Sequence, residues 1–312
     1  MNMSGLPVIA LIAGPTASGK SALAMALADL TPSVVINADS MQVYRDLRVV
    51  TARPSQADEE RHPHRLFGYI DGADACSAAR WAADARFAVG EAHRVGRLPI
   101  VVGGTGLYIR TLLDGIAPVP DINSSIREAV RALPVAEAFE ALSREDPYAA
   151  AHLSPADATR IARALEVVRS TGCTLKAWQA HRVGGISAMV RLVPLILLPP
   201  RTWLFTQCDT RFKSMIDAGR DEVAALIARN LDPALPVMRA IGVREIAGRL
   251  AKIGDAPTAF PSGALATRQY AKRQYTWFVN QAPETWERVT AQLTFASMNT
   301  YATILRDKAL TA

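Results

Sequence analysis

The amino-acid sequence predicts an α/β fold, in which a parallel β-sheet carries helices on both faces and a helical domain is inserted into the chain. Short apolar runs alternate with helical patterns in the amino-terminal part, which is the order that a parallel sheet requires. The pattern becomes helical between Asp114 and about Gly185, and a strand pattern resumes at Val190. These observations indicate a sheet-based core that is interrupted by helices.

Four short apolar runs that end at turn or polar residues predict the strands of the sheet. They are Pro7–Ala13, Val34–Ile36, Leu98–Val102 and Leu192–Leu198. Between the first two runs, Lys20–Leu30 has apolar residues at helical spacing. This segment predicts the first helix of the core.

Further helical patterns define the rest of the predicted organisation. They are Ile126–Leu133, Val135–Leu142, Ala158–Val168 and much of Asp209–Tyr301. We predict a first part of the core at residues 1–115, a helical insertion at 116–189, and at 190–312 the completion of the core with a basic helical carboxyl-terminal part. The stretch Lys252–Gly263 is linker-like.

Composition limits the classes of protein that this chain fits. Of its 312 residues, 50% are hydrophobic and 21% are charged, as in ordinary globular proteins. No apolar run approaches the length of about 18 residues that a membrane-spanning helix needs. The amino terminus lacks the basic region of a signal peptide, and we expect a cytosolic protein. The net charge of +6 suggests a polyanionic partner.

The cysteines and histidines give no sign of a disulfide framework or a zinc site. Cys76, Cys173 and Cys208 are far apart, and the sequence has no C-x-x-C pair. His62 and His64 stand on either side of a proline, a pattern that favours a loop.

The segment Gly14-Pro-Thr-Ala-Ser-Gly19-Lys20-Ser21 fits the P-loop pattern and lies between a predicted strand and a predicted helix. Its glycines allow backbone N–H groups to approach phosphates, and the start of the helix adds partial positive charge. Lys20 neutralises phosphate oxygens, and Ser21 is a candidate Mg²⁺ ligand. The motif predicts a core like that of P-loop NTPases and a bound di- or triphosphate.

Asp39 directly follows the predicted strand Val34–Ile36 and Asn37-Ala38. It therefore lies at the carboxyl edge of the sheet, where ligands bind in open α/β folds. One interpretation makes Asp39 a metal ligand of Walker-B type, and another makes it a general base that faces the P-loop. The local pattern does not choose between them.

Several ordered motifs accompany the P-loop. They include Asp39-Ser-Met-Gln42-Val-Tyr44, Thr51-Ala-Arg53-Pro54, Gly103-Gly-Thr-Gly-Leu-Tyr108, Arg160-Ile-Ala-Arg163-Ala-Leu-Glu-Val167, Arg211-Phe, Arg244-Glu and Thr267-Arg-Gln-Tyr-Ala-Lys-Arg-Gln-Tyr-Thr-Trp-Phe278. In this order they resemble the bacterial tRNA dimethylallyltransferase family, also called tRNA isopentenyltransferase. The likeness extends from the P-loop to about Trp277. The family often has an arginine after this last motif, and here Val279 follows Phe278.

The resemblance implies prenyl transfer from dimethylallyl diphosphate to N6 of adenosine 37 in the anticodon stem-loop of tRNA, with release of diphosphate and with Mg²⁺ as cofactor. Asp39 is then the general base, and Thr105 is the second catalytic residue. The residues implied to bind the diphosphate are Gly14, Pro15, Thr16, Ala17, Ser18, Gly19, Lys20, Ser21 and Arg211. The residues implied to bind tRNA are Asp39, Ser40, Met41, Gln42, Thr105, Arg127, Arg163, Ala164, Leu165, Glu166 and Val167. We expect a monomer that binds no membrane, although the sequence does not fix the oligomeric state.

Three alternatives stay open at this point. A cytokinin-type isopentenyltransferase uses the same P-loop with a free adenine nucleotide, but it needs neither the helical insertion nor the basic carboxyl-terminal part. A P-loop kinase or ATPase, and an RNA-binding module with a degenerate site, are the others.

In the last motif Arg268, Lys272 and Tyr275 share a helical face, with Arg273 and Trp277 beside it. That mixture suits single-stranded RNA, but the aromatic side chains could equally belong to the core.

Overall fold

The structure, a computed structural model, describes residues 5–251 and 256–311, with the backbone alone at 256–259. Its strands are β1 (Val8–Ala13), β2 (Ser33–Asn37), β3 (His64–Arg65), β4 (Leu98–Gly103), β5 (Arg191–Leu197) and β6 (Glu287–Val289). Its α-helices are α1 (Lys20–Leu30), α2 (Gln56–Arg61), α3 (Ala78–Arg94), α4 (Gly106–Asp114), α5 (Ser124–Ala132), α6 (Val135–Glu145), α7 (Pro147–His152), α8 (Ala158–Thr171), α9 (Leu175–Gln179), α10 (Arg201–Ala218), α11 (Arg220–Ala228), α12 (Val243–Leu250), α13 (Ala256–Gln281) and α14 (Phe295–Leu310).

The described strands form one six-stranded sheet in the order β3-β2-β4-β1-β5-β6, and every neighbouring pair is parallel. In the centre, Ile12 of β1 is paired with Val102 of β4 and Leu195 of β5. The predicted α/β fold class is therefore confirmed. Because all strands run in one direction, the loops that follow them meet at one edge of the sheet.

Both faces of the sheet are covered, which explains why the central strands are apolar without alternation. On one face, α1 and α14 pack over the strands and share a core with Ile12, Leu27 and Leu305. On the other face, α3 packs on β2 and β4, and its buried Trp81 donates from Nε1 to the carbonyl oxygen of Asn37 at 2.9 Å. No helix in residues 5–251 and 256–311 is long and apolar enough to cross a membrane.

The chain divides into two units, Met1–Leu112 with Ile186–Ala312, and Leu113–Gly185. The second unit, hereafter the helical unit, contains α5 to α9 and lies within a few residues of the segment that the sequence assigns to an insertion. Its core is built from small and aliphatic side chains of α5, α6 and α8, including Val130, Leu142 and Leu165.

Some elements differ from the sequence prediction. The linker-like stretch Lys252–Gly263 lies partly outside the described residues, but from Ala256 onward it is part of α13, so the prediction is wrong there. The helix contains Pro261, which has no backbone N–H to donate within the helix. The short strands β3 and β6 and the short helices α7 and α9 have no counterpart in the sequence prediction.

Candidate active site

The P-loop connects β1 to α1 at the carboxyl edge of the sheet. Gly14 has a φ of +147°, and a Cβ atom there would stand 2.4 Å from the carbonyl oxygen of Leu197. The loop thus packs against the end of β5 at a distance that only glycine allows. Thr16 and Ser18 are buried within the loop, and the loop ends at Gly19, where α1 begins with its N–H groups free for an anion.

Two cationic side chains converge on this loop. Lys20 donates from Nζ to the carbonyl oxygen of Pro15 at 2.6 Å, and burial lowers the pKa of Lys20 to about 8, although the nearby Asp39 opposes that shift. Arg211 of α10 donates from Nη2 to the hydroxyl of Thr16. Burial also lowers the pKa of Arg211. The loop therefore has positive charge from its own helix and from a distant one.

The polar groups of this loop are not all satisfied by the protein. Among the described residues, Ser18 Oγ and Arg211 Nε are buried without a hydrogen-bond partner. An unpaired buried donor costs free energy, and phosphate oxygens accept from both kinds of donor. A cavity of about 440 Å³ lies beside these groups, with Lys20, Ser21 and Asp39 in its wall. Its size and its donors suit a diphosphate.

Asp39 is held in place by its own segment. The side chain of Asn37, at the end of β2, accepts from Asp39 N at 2.8 Å and donates to Asp39 O at 3.0 Å. Asp39 Oδ1 accepts from Met41 N at 2.9 Å, which leaves Oδ2 for another partner. The carboxylate lines the diphosphate-sized cavity and also a second cavity of about 250 Å³.

Thr105 fixes the end of β4 to the segment after β2. Its backbone N donates to Ala38 O at 3.1 Å, and its hydroxyl accepts from Ser40 N at 2.9 Å. Tyr270 of α13 shares hydrogen bonds with Thr105 and Ser40. Burial, followed by the charge of Asp39, raises the pKa of Tyr270, so this phenol stays protonated.

The second cavity has a different character. Apolar side chains form much of its wall, including Met41, Val50, Phe212 and Met215. Thr16, Asp39 and Arg211 line both cavities. An apolar group and a planar ring such as a nucleobase are therefore able to lie on one side of Asp39, while a diphosphate lies on the other.

The predicted RNA-contacting residues of this unit lie at the same edge. Ser40 and Met41 line the apolar cavity. Gln42 lines the diphosphate-sized cavity, where its Nε2 donates to the carbonyl oxygens of Thr51 and Ala52 at 2.9 Å each. The structure thus brings Asp39–Gln42, Thr105, the P-loop and Arg211 together.

In the helical unit, the predicted RNA-contacting residues do not form one surface. Arg127 of α5 is exposed. Arg163 of α8 is partly exposed, with Nη1 at 3.9 Å from Glu166 Oε2. Ala164–Val167 are buried: Ala164 and Leu165 belong to the core of this unit, and Glu166 accepts from Arg131 Nε at 2.9 Å. Of the predicted stretch Arg163–Val167, Arg163 is therefore the residue whose side chain is available to contact RNA.

The aromatic residues of α13 are packed against the protein. Phe278 is fully buried, and Tyr275 donates from its hydroxyl to Leu198 O at 3.4 Å. Trp277 lies against Gly106, where a Cβ atom would stand 2.2 Å from the indole. Of the two interpretations of this motif, the geometry favours the core. Val279 is exposed on the same helix.

Gln274 is a residue of the site that is not among the predicted site residues, although it belongs to the motif Thr267–Phe278. A buried stripe of α13 consists of Thr267, Ala271, Gln274 and Phe278. Their spacing of four, three and four residues is that of one helix face. A glutamine on such a stripe must find hydrogen-bond partners inside the protein, and this signal was present in the sequence.

The sheet is parallel, a P-loop lies at one strand end with two cations against it, and a carboxylate lies at a nearby strand end. These features are those of the α/β proteins of the P-loop class. Comparison with known families then identifies the particular group. The model of the IPP transferase family matches residues 42–281, and the isopentenyl transferase model matches residues 7–70. The chain belongs to the IPP transferase family, which confirms the resemblance seen in its motifs.

Similar proteins agree with this assignment. The tRNA dimethylallyltransferase of Sphingopyxis alaskensis is 58% identical over 97% of this chain and 100% of its own length. That of Erythrobacter litoralis is 60% identical over 91% of each chain. The crystal structure of the tRNA isopentenylpyrophosphate transferase from Bacillus halodurans is 30% identical, with a TM-score of 0.67 over 97% of each chain. A eukaryotic dimethylallyltransferase acting on tRNA is 27% identical, with a TM-score of 0.74 over 87% of this chain and 70% of its own.

Proposed function

We propose that this chain transfers a dimethylallyl group from dimethylallyl diphosphate to N6 of adenosine 37 in tRNA, forming N6-isopentenyladenosine and releasing diphosphate. The observation that carries this proposal is the arrangement around Asp39. Its carboxylate lines both the cavity of the P-loop and the neighbouring apolar cavity. The Asp39 carboxylate is therefore able to accept a proton at a position between the leaving group and the nucleophile.

The P-loop side of the site suits the leaving group. Transfer breaks the bond between the allylic carbon and the diphosphate oxygen, so negative charge grows on the diphosphate. Lys20, Arg211 and the N–H groups at the start of α1 stand where that charge develops. Because the charge is larger in the transition state than in the bound donor, these groups accelerate the reaction as well as bind the donor.

Asp39 suits the acceptor side. The exocyclic N6 of adenine is a weak nucleophile and loses a proton as its new bond to carbon forms. Met41 N–H holds Asp39 Oδ1, so Oδ2 is oriented to take that proton. The target nucleotide must turn out of its stack to bring N6 to a cavity, and the hydroxyls of Ser40 and Thr105 stand beside Asp39 to hold its base.

RNA affinity is proposed to come from exposed cations in addition to the target base. Arg127 and Arg163 of the helical unit are candidates for phosphate contacts, since phosphates supply most of the affinity in such complexes. Neither side chain is buried.

Magnesium fits this site as an ion carried by its substrate. In residues 5–251 and 256–311, no group of three His, Cys, Asp or Glu side chains is placed to hold a metal. Ser21 and Asp39 offer oxygen ligands in the wall of the diphosphate-sized cavity. Mg²⁺ usually keeps several waters and binds one or two protein oxygens together with phosphate oxygens. When bound, it would neutralise part of the charge of the diphosphate.

The proposal includes the monomeric state and the cytosolic location that are expected from the sequence. The location follows from the substrate, because tRNA is in the cytosol. Sedimentation equilibrium of the free protein at assay concentration measures the first. A stable dimer would contradict it without affecting the proposed reaction.

Mass spectrometry of nucleosides tests the reaction. Unmodified tRNA is incubated with the protein, Mg²⁺ and dimethylallyl diphosphate, then digested and analysed. We expect N6-isopentenyladenosine from RNA with adenosine at position 37 and none from RNA with guanosine there. Parallel incubations contain AMP or ATP in place of tRNA. Modification of AMP at the same rate as tRNA would indicate a cytokinin-type enzyme, and hydrolysis of ATP without prenyl transfer would indicate a P-loop ATPase.

A further inference from the structure

One face of α13 lies across the loops that follow three neighbouring strands. Tyr270, Gln274 and Trp277 follow one another at intervals of four and three residues, which places them on one side of the helix. Tyr270 bonds to the segment after β2 and to Thr105, and Trp277 packs against Gly106 after β4. Gln274, between them, reaches both the P-loop after β1 and the turn after β4.

The amide of Gln274 uses both of its ends. Its Oε1 accepts from the backbone N–H of Thr16 at 2.7 Å, and its Nε2 donates to the backbone carbonyl of Gly104 at 2.9 Å. The residue is 6% exposed. A reversed amide would face a donor with a donor and an acceptor with an acceptor, so the two partners fix its orientation.

The contact has little slack. A Cβ atom at Gly104 would stand 2.3 Å from Gln274 Nε2 and 2.9 Å from Gly14 O. The turn after β4 therefore comes against the P-loop and the glutamine with no room for a side chain. Any displacement of the amide must move one of the two loops.

Each of these loops carries part of the reacting geometry. Thr16 receives the hydrogen bond of Arg211 on its hydroxyl, which belongs to the leaving-group side. Gly104 precedes Thr105, and the hydroxyl of Thr105 holds Ser40 N beside Asp39. Gln274 thus connects the P-loop, which is proposed to hold the diphosphate, with the turn at Thr105, which supports the segment of the general base Asp39.

We infer that Gln274 is a positioning residue that sets the alignment of the diphosphate subsite with Asp39. It touches neither substrate in this account and acts through Thr16 and Gly104. Displacement of a reacting group by about 1 Å costs about 10²-fold in rate, so loss of these two hydrogen bonds should appear mainly in kcat. The inference rests on the proposed function, because its consequence is measured as prenyl transfer.

The test compares Gln274→Met with Gln269→Met. Both substitutions replace a glutamine of α13 by a side chain of similar length without hydrogen-bonding groups, but Gln269 is exposed. We expect Gln274→Met to lower kcat by about 10²-fold, with KM for the anticodon stem-loop and for the donor within about threefold. Gln269→Met should have the kcat of the wild-type protein.

A structural loss alone must be separated from misalignment. Gln274→Met leaves Thr16 N–H and Gly104 O without a partner, and we expect a lower Tm for that reason. The value of kcat is therefore expressed per site that binds the stem-loop, counted by titration. A kcat per competent site within threefold of the wild type, or an equal fall in Gln269→Met, would overturn the inference.

A double-mutant cycle tests the proposed route through Thr105. If Gln274 and Thr105 support the same turn, Gln274→Met and Thr105→Ala together should lower kcat by less than the product of their separate effects. Fully multiplicative effects would overturn a shared route. The wild-type assay keeps the two proposals apart. No transfer by the wild type contradicts the proposed function, whereas transfer by the wild type and by Gln274→Met with the same kcat per competent site contradicts the role of Gln274 alone.

Discussion

The carboxyl edge of the sheet and the helical unit hold their functional candidates in opposite ways. At the edge, Asp39 is fixed by hydrogen bonds within its own segment, to the side chain of Asn37 and from Met41 N, and the hydroxyl of Thr105 accepts from Ser40 N of that segment. In the helical unit, Arg127 is exposed, and Arg163 has a carboxylate partner at 3.9 Å, beyond hydrogen-bonding distance. The edge therefore holds its candidates in fixed positions, whereas the helical unit presents its two candidate arginines to solvent.

This contrast has an energetic basis. Arg127 is exposed, and Arg163 lies 3.9 Å from a buried carboxylate that also accepts a hydrogen bond from Arg131 at 2.9 Å. Arg163 can therefore turn toward a phosphate while Arg131 still neutralises Glu166. A hydrogen-bonded side chain at the edge has no such freedom. Substitutions at the edge should therefore change rates, and substitutions in the helical unit should change affinity.

The largest effect is expected from Asp39. Asp39→Ala should lower kcat by roughly 10² to 10⁴, the usual contribution of a positioned general base, with binding of donor and stem-loop within several-fold. Single-turnover rates together with equilibrium binding measure both. Asp39→Asn is the matched variant, since its oxygen still accepts from Met41 N–H, and it should be as slow as the alanine variant. Near-normal turnover in either variant would remove Asp39 from the mechanism.

Loss of the cations at the P-loop should come next. Lys20→Ala and Arg211→Ala should each lower kcat by about 10² to 10³, as does the removal of a group that stabilises developing negative charge, and should raise KM for the donor. Lys213→Ala, at an exposed position of the same helix as Arg211, is the control. If KM alone changed, both residues would bind the donor equally in ground and transition states.

The pH dependence of donor use should follow Lys20. Burial lowers its pKa to about 8, so the free protein carries this charge below that pH and loses it above. The value of kcat/KM for the donor should fall by up to tenfold per pH unit above about 8. Lys20→Ala should not show this fall. A profile of the wild type that stays level to pH 9.5 would contradict the assignment.

A smaller effect is expected from the helical unit. Affinity for the stem-loop should fall as salt rises, and removal of Arg127 or Arg163 should reduce the logarithmic slope by about 0.7 for each lost contact on single-stranded RNA. Donor affinity should not change. Arg94→Ala is the control, because α3 ends there at the opposite edge of the sheet. An unchanged slope in Arg127→Ala and Arg163→Ala would show that these arginines do not contact phosphates.

Much of the fold was predictable because its signals are local. The strands β1, β2, β4 and β5 are continuous apolar runs, and the P-loop lies between two of the predicted elements. The position of Asp39 at a strand end followed from the same reasoning. By contrast, β3 and β6 have two and three residues, which is too short for a periodic signal.

The rest of the site depended on contacts between distant parts of the chain. Gln274 meets Thr16 across 258 positions, so the local pattern indicates a buried, hydrogen-bonded glutamine but not the two loops that it joins. Likewise, Glu166 stands in a stretch that is implied to bind RNA, yet its carboxylate faces Arg131 inside the helical unit. Sequence motifs identified the important stretches, and only packing decided which side chains are available.

Competition between the stem-loop and a free nucleotide is the sharpest test of the contrast between a catalytic edge of the sheet and a helical unit that supplies RNA affinity. The protein is given dimethylallyl diphosphate with equal concentrations of an anticodon stem-loop and AMP, and kcat/KM is measured for each at low and high salt. We expect a strong preference for the stem-loop, and this preference should decrease as salt rises because phosphate contacts supply the affinity. Equal transfer to both acceptors at low salt, or a preference that does not change with salt, would contradict it.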